Sequence, residues 1–370
     1  MPWNWQHPDW PNFTWDRTKI ASAEEQFLLG SGVVIGSVKH LGEQEQKQLL
    51  VDLMSGEAVT TSKIEGEVLN RGSVQSSIQR QLGLAADDRR ASPAEQGIAE
   101  MMVDLYRSYR EPLSQGTLFA WHKMVTAGRR DLTDIGQYRT SKEPMQIVSG
   151  RIGASKVRFE APPSERVPSE MNRFFAWFNR TGPDGVEPLP TITRAGIAHI
   201  YFESIHPFED GNGRIGRAIA EKATAQAVGQ PILLALATAI LAHQKPYYEA
   251  LERACRRMDI TEWLTWFAGM ALEAQRSNIT RVEFVIAKTK LMDRLHGEIN
   301  ARQAKALLRM FEEGPEGFEG GLSAGNYSTI TGASPATTTR DLADLVVKGA
   351  LVRSGELRHA RYALKLPVIG

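Results

Sequence analysis

The stretch His206-Pro-Phe-Glu-Asp-Gly-Asn-Gly-Arg-Ile-Gly-Arg217 sets an imidazole, a carboxylate, three glycines and two arginines within a dozen residues. Apolar residues before it (Ile192, Ala195, Ile197, Ala198, Tyr201, Phe202, Ile205) and after it (Ile215, Ile219, Ala220, Ala223) fall at helical spacing, so the segment reads as helix, tight loop, helix. Gly211, Asn212 and Gly213 would let backbone N–H groups approach an anion, and the helix starting there adds unsatisfied donors and the positive end of its dipole. Arg214 and Arg217 stand three apart on the first turn, and their donor forks suit phosphate oxygens. Asp210 suits Mg²⁺. His206 suits a base taking the proton from an attacking hydroxyl, since neutral imidazole titrates near working pH. These roles together describe nucleotidyl or phosphoryl transfer. Gly211, Gly213 and Gly216 also spell G-x-G-x-x-G, but the segment before them has the period of a helix, not of the strand a dinucleotide fold needs. Asp-Gly-Asn-Gly alone would pass as a turn or part of a calcium loop; the joint pattern carries the chemistry.

Every fixed position of His-Pro-Phe-x-Asp-Gly-Asn-Gly-Arg-x-x-Arg is matched from His206 to Arg217, and on that signature the chain resembles the Fic family. The resemblance implies a helical core that takes ATP and Mg²⁺. It further implies transfer of AMP to a Tyr, Thr or Ser hydroxyl of a protein, with self-modification included, and release of pyrophosphate. By position it implies His206 as base, Asp210 as metal ligand, and Gly211, Asn212 and Gly213 as anion hole. Arg214 would hold the inner phosphates, Arg217 the γ-phosphate, and Phe208 would be core. Thr61-x-x-x-Glu65-Gly66 resembles the family's inhibitory motif, Ser/Thr-x-x-x-Glu-Gly/Asn, which implies that Glu65 pairs with Arg217. Helical spacing puts Thr61 and Glu65 on one face, where the hydroxyl would steady the segment and the carboxylate reach out; a solvated surface is the plain alternative. Met145, Gln146, Ile147 and Val148, with a turn over Ser149–Ser155 and the run Val157–Phe159, read as a β-hairpin whose place resembles the family's flap, which holds the target by strand addition. Tyr247 and Tyr248 stand where the family lines its adenine pocket, with core packing an equal alternative.

The rest of the chain sets this stretch in a mainly α fold: a Fic-type helical core with a small β-hairpin flap, plus a C-terminal winged helix-turn-helix. The 370 residues divide on this reading into a Trp-rich N-terminal helical domain with the inhibitory helix (1–90), the catalytic core (91–276), a connecting helix (277–299) and the winged-helix-like domain (300–370). Trp3, Trp5, Trp10 and Trp15 crowd an arm expected to be extended and ordered by burying its rings, and this arm with the helices Thr18–Leu41 and Glu43–Thr61 resembles the N-terminal domain of a subset of Fic proteins. Ser92-Pro-Ala-Glu95 is a capping box for a helix to about Tyr109. His122, in a helix over Ser114–Val125, reads as a core or capping histidine. A helix is expected from Tyr247 to Met258, and Trp263, Trp266 and Phe267 read as core.

A net charge of +1 gives no global attraction to nucleic acid or membrane, and the longest apolar run, Pro231–Ala242, is too short to span a bilayer. One cysteine excludes an intrachain disulfide and, with no leader-like N-terminus, fits the cytoplasm. Helices Ala301–Phe311, Ser323–Ile330 and Pro335–Val347, then two strands with a tip near Ser354-Gly355, outline a winged helix. From Ser334 to Pro367 six Lys and Arg face three Asp and Glu, but Asp341 and Asp344 lie on the would-be recognition helix, so DNA and protein partners are both open. A homodimer is also open. The main reading is an autoinhibited protein adenylyltransferase. The alternatives are removal of AMP from a modified protein, with Glu65 positioning a water, transfer of another nucleotide, and a DNA-binding regulator with a Fic sensor core.

Overall fold

In a computed structural model, the described residues are 2–149, 156–231, 234–315, 317–318 and 320–366; the turn expected beyond Ser149, part of the apolar run after Pro231, and Pro367 lie outside them. The chain forms α1 (Thr18–Val38), α2 (Glu43–Ile64), α3 (Arg71–Gln81), α4 (Pro93–Ser108), α5 (Gln115–Val125), β1 (Gln146–Ser149), β2 (Lys156–Glu160), α6 (Val167–Arg180), α7 (Thr191–Ile205), α8 (Asn212–Val228), α9 (Leu236–Ala242), α10 (Gln244–Ala254), α11 (Thr261–Arg294), α12 (Ala301–Glu312), α13 (Ala324–Thr331), α14 (Pro335–Val347), β3 (Leu351–Ser354) and β4 (Arg361–Leu364). The fold is mainly helical, and no described helix is long and apolar enough to cross a membrane. Two compact units result, residues 1–32 with 50–276 and residues 33–49 with 277–370, whose boundaries fall inside α1, α2 and α11.

The first unit is built around α7, all fifteen of whose residues are buried. A helix apolar nearly all round has to be enclosed by others, and α8 packs along it with α6, α10 and α11 completing the enclosure. α7 has Pro190 before it and no cap of its own. Glu24 of α1 supplies one: its carboxylate accepts from the N–H groups of Ile192 and Thr193 at 3.0 and 2.7 Å and from the Thr193 hydroxyl at 2.8 Å. Orphan donors and the dipole of a buried helix start are satisfied together.

The arm is ordered by ring burial, though it contains a 3₁₀ turn at Asn4–Gln6 where an extended segment was expected. Trp5 Nε1 donates to Glu160 O (2.7 Å), Trp10 Nε1 to Glu170 Oε2 (2.9 Å), and Asn4 Nδ2 to Ser204 Oγ (2.8 Å). Trp3 meets Phe159 edge-on at 5.3 Å. The capping box at Ser92 and Glu95 forms, with Pro93 opening α4. α10 stops at Ala254, four residues short of the expected end, because the following turn leads to Asp259, which bridges Thr14 of the arm.

In the second unit α12, α13 and α14 pack around Leu307, Tyr327, Leu342 and Leu345. β3 and β4 pair antiparallel, Leu351 opposite Leu364, and Leu322 adds a bridge to Tyr362. The connection is longer than a tip at Ser354-Gly355, since a 3₁₀ turn at Leu357–His359 follows Gly355.

Candidate active site

α7 ends in His206, whose φ of 49° and ψ of 61° are left-handed. A non-glycine residue there is strained, and such strain gathers at functional sites. The turn is held from several sides. The His206 N–H donates to Phe202 O (2.9 Å), and Arg139, which is buried, donates from Nε to His206 O (2.8 Å) and from Nη2 to Pro162 O at the base of the hairpin. Phe208 is fully buried, with His122 stacked on it at 4.1 Å and 11°. His122 also accepts from Gly136 N–H at Nδ1 (2.9 Å) and faces Asp210 O at Nε2 (3.1 Å), so it struts the loop in the structural role read from the sequence. Asn212 spends its side chain inside the loop, accepting from Phe208 N–H (3.0 Å) and donating to Phe208 O (2.8 Å). Only its backbone is left for a ligand. α8 begins at Asn212 behind left-handed Gly211 (φ 84°) and its first backbone bond is Ile215 N to Gly211 O, so the N–H groups of residues 212–214 open out of the helix end.

One cavity of about 610 Å³ is lined by His206, Asp210, Gly211, Asn212, Gly213, Glu65, Tyr247 and Tyr248, together with Met145, Ile147 and Val148 of the hairpin. Most of the sequence-identified residues are therefore brought together, but Gln146 and the buried Arg214 and Arg217 are not among those that line the cavity. Gln146 turns its amide onto Glu160 Oε2 across the hairpin (2.7 Å), while Ile147 and Val148 are exposed. Tyr247 is buried, its hydroxyl 2.9 Å from His199 Nε2, so it joins the core as well as the cavity wall. Tyr248 is half exposed, and its hydroxyl donates to Ile64 O at the end of α2 (3.2 Å).

Burial sets the charges. It pushes His206 down to about 4, helped by the Arg139 charge, so the imidazole is neutral well below working pH and does not titrate near it as the sequence suggested. Glu203, three residues earlier, is pushed up to about 8 by burial and by Glu65, and its Oε2 lies 3.7 Å from His206 Nδ1. For Asp210 burial favours the neutral form, but Arg214 and Arg129 hold the carboxyl below the usual range. Arg129 pairs with Asp210 directly and also with Asp131. Among the described residues no three His, Cys, Asp or Glu side chains form a metal cage. A single ionised carboxylate suits Mg²⁺, which takes one or two carboxylates with phosphates and keeps several waters.

The segment after α2 closes over the arginines. Glu65 Oε1 accepts from Arg217 Nη2 at 2.7 Å, as the motif implied. Thr61 does more than steady its helix: its hydroxyl accepts from Arg217 Nε (2.7 Å) and its carbonyl from Nη2 (3.0 Å). Glu65 also lies against Gly213, where a Cβ would come 2.2 Å from Oε1. Glu67 Oε2 accepts from Arg214 Nη1 at 2.9 Å, beside Val125 O at 3.0 Å. Sequence reasoning missed Glu67, Glu203, Arg129 and Arg139; only the Glu-x-Glu spacing hinted at the first.

The Fic/DOC family profile matches residues 112–223, and a domain of unknown function, DUF4172, matches residues 3–84. The chain is similar to protein adenylyltransferase fic-1 of Caenorhabditis elegans, 24% identical over 198 residues, 52% of this chain and 35% of that protein. It is also similar to a probable protein adenylyltransferase of Aquifex aeolicus, 34% identical over 62 residues, 17% of this chain and 18% of that one. It thus spans about a third or less of the length of these curated relatives. Among solved structures, a Fic family protein from Desulfovibrio desulfuricans G20 superposes with a TM-score of 0.55 at 22% identity, covering 96% of this chain and 98% of that one. A fragment of the Caenorhabditis elegans Fic-1 protein superposes with a TM-score of 0.50 at 19% identity, covering 73% and 74%. The matched Fic/DOC segment thus contains the whole His206–Arg217 signature.

Proposed function

We propose that the chain is an autoinhibited protein adenylyltransferase. The observation that carries this is the Glu65–Arg217 contact at 2.7 Å beside a cavity that also holds His206, Asp210 and the 211–213 loop. The names of the curated relatives support it. ATP would enter with its phosphates toward the helix end of α8 and its base toward Tyr247 and Tyr248. A Tyr, Thr or Ser hydroxyl presented along the hairpin attacks the α-phosphorus. The new bond is P–O to the target, the broken bond joins the α-phosphorus to the oxygen bridging to the β-phosphate, and pyrophosphate leaves. His206 receives the hydroxyl proton, being neutral in the fold. Mg²⁺ at Asp210 would neutralise charge on the phosphates. In the resting arrangement Glu65 occupies Arg217, leaving the γ-phosphate without its partner and the α-phosphorus out of line. Labelled ATP, with wild type compared against Glu65→Gly and His206→Ala, tests the reading: label should enter protein most in the first variant and not at all in the second. Release of AMP from modified protein by wild type, lost in Glu65→Gly, would favour AMP removal instead.

DNA binding by the second unit is supported by one observation. Asp341 is buried and accepts from Arg302 Nε (3.0 Å), Tyr327 OH (3.0 Å) and Asn300 Nδ2 (3.3 Å), while Asp344 pairs with Lys348 at 2.6 Å and Gln303 at 2.7 Å. Both carboxylates that seemed to oppose DNA are engaged within the unit, leaving Thr339 and Arg340 exposed on α14 and Arg353 on β3.

A further inference from the structure

We propose that Glu65-Gly66-Glu67 is a two-pronged plug, in which Glu67 masks Arg214 as Glu65 masks Arg217. The inference rests on the reading of both arginines as phosphate-binding groups and adds a second inhibitory residue. α2 ends in a Schellman turn: Glu67 N–H donates to Ser62 O (3.0 Å), Gly66 N–H donates to Lys63 O (3.0 Å), and Gly66 has a φ of 83°. This reversal sends the carboxylates on either side of Gly66 to two arginines one turn apart on α8, at 2.7 and 2.9 Å. The arginine side chains are only 1% and 5% exposed and the carboxylates 30% and 34%, so each prong spans from solvent to a buried cation. The two cations flank different parts of the cradle. Arg214 Nη2 is 3.6 Å from Asp210 Oδ1, at the metal-ligand end, whereas Arg217 Nη1 would be 3.2 Å from a Cβ on Gly213. A phosphate chain laid along Gly211–Gly213 would need both, and the segment presents one anion to each.

The prongs should be separable by nucleotide. Glu65 competes for the partner of a terminal third phosphate, and Glu67 for the partner of the phosphates that ADP and ATP share. The test is titration calorimetry of Mg-ADP and Mg-ATP with the full chain as wild type, Glu65→Gly, Glu67→Gln and the double variant. Glu67→Gln keeps size and a hydrogen-bonding oxygen but removes the charge, so it should bind both nucleotides about three- to tenfold more tightly, the fold-change of one partly exposed charge-assisted contact. Glu65→Gly should improve ATP binding and leave ADP nearly unchanged. Should Glu67→Gln unfold, Glu67→Asp, whose shorter stem draws the charge back from Arg214, is expected to tighten both nucleotides in the same direction. Unchanged ADP affinity in the folded Glu67 variant, alongside Glu65→Gly that transfers AMP faster, overturns the second prong and leaves the parent reading standing. Absence of nucleotide binding in every variant overturns the parent reading, and the plug with it.

Discussion

Replacing Glu65 with glycine should raise AMP transfer about ten- to a hundredfold and at the same time lower stability measurably. The first figure follows from one charge-assisted arginine contact of about 1.5–3 kcal/mol, which converts to that factor in a population or a rate. The second follows from where the pair sits. Arg217 is 1% exposed and its Nη1 already has no partner among the described residues, so losing Glu65 leaves a buried guanidinium held by Thr61 alone. A cation stripped of its partner in a fully buried site costs about 3–5 kcal/mol. Here the 30% exposure of Glu65 opens a path for water, so about 1–2 kcal/mol is expected, to be read as a fall in Tm by calorimetry. Glycine adds little backbone cost, because Glu65 lies one residue past the end of α2. Arg217→Ala must not reproduce the activation, since it also removes the γ-phosphate partner. A Glu65→Gly protein that binds Mg-ATP yet labels proteins no faster than wild type would refute inhibition by this contact, and an unchanged Tm would refute the burial argument.

Further outcomes follow from the same geometry. Gly66→Ala places a side chain at φ 83° with open space around it, so the cost is purely backbone, about 1 kcal/mol; it should loosen the turn and partly activate transfer, read in the labelling assay. Arg129→Ala should lower the Mg²⁺ concentration for half-maximal activity, because Asp210 then has one cation fewer to give up, whereas Asp210→Ala should abolish the metal response. Stability should peak near pH 6.5. Below it, His122, His199 and His206, each pushed down to about 4, stay neutral in the fold while the unfolded chain binds protons, which costs stability as pH falls; above it, Glu203 and Glu221, each pushed up to about 8, keep protons the unfolded chain has lost, so stability declines as pH rises. Denaturation midpoints measured from pH 5 to 8 that rise or fall monotonically would contradict this. Neutralising Arg340 and Arg353 should weaken DNA retardation on all sequences and flatten its salt slope; no retardation at low salt in the wild type points to a protein partner.

What the sequence disclosed was local. Ser92 with Glu95 is a cap written within four residues, and His206–Arg217 carries its chemistry in one turn and loop, so each was legible without a fold. α3 escaped notice because Arg71–Gln81 is rich in Ser and Gln, with only Val74 and Ile78 to mark a buried face. α11 was read as two pieces because its pattern changes from aromatic to charged partway along a continuous helix of 34 residues. Arg139, Arg129 and Glu203 were illegible for another reason: each is an unremarkable charged residue until packing sets it beside the loop. Burial also altered one expectation, lowering His206 from a group poised near neutrality to one whose resting form at working pH is neutral.

The cap that Glu24 places on α7 bears on how this protein can be cut, shortened or recombined. The matched family segment begins at residue 112, yet the buried helix that delivers His206 takes its first hydrogen bonds from residue 24, and the end of that helix is tied through Ser204 to Asn4. A shortened chain beginning at residue 91 would keep every residue of the signature and lose the groups that hold it in register. The first 32 residues and the catalytic stretch thus share one compact unit, and a fusion or truncation that spares the motif can still disarm it from the far end of the sequence.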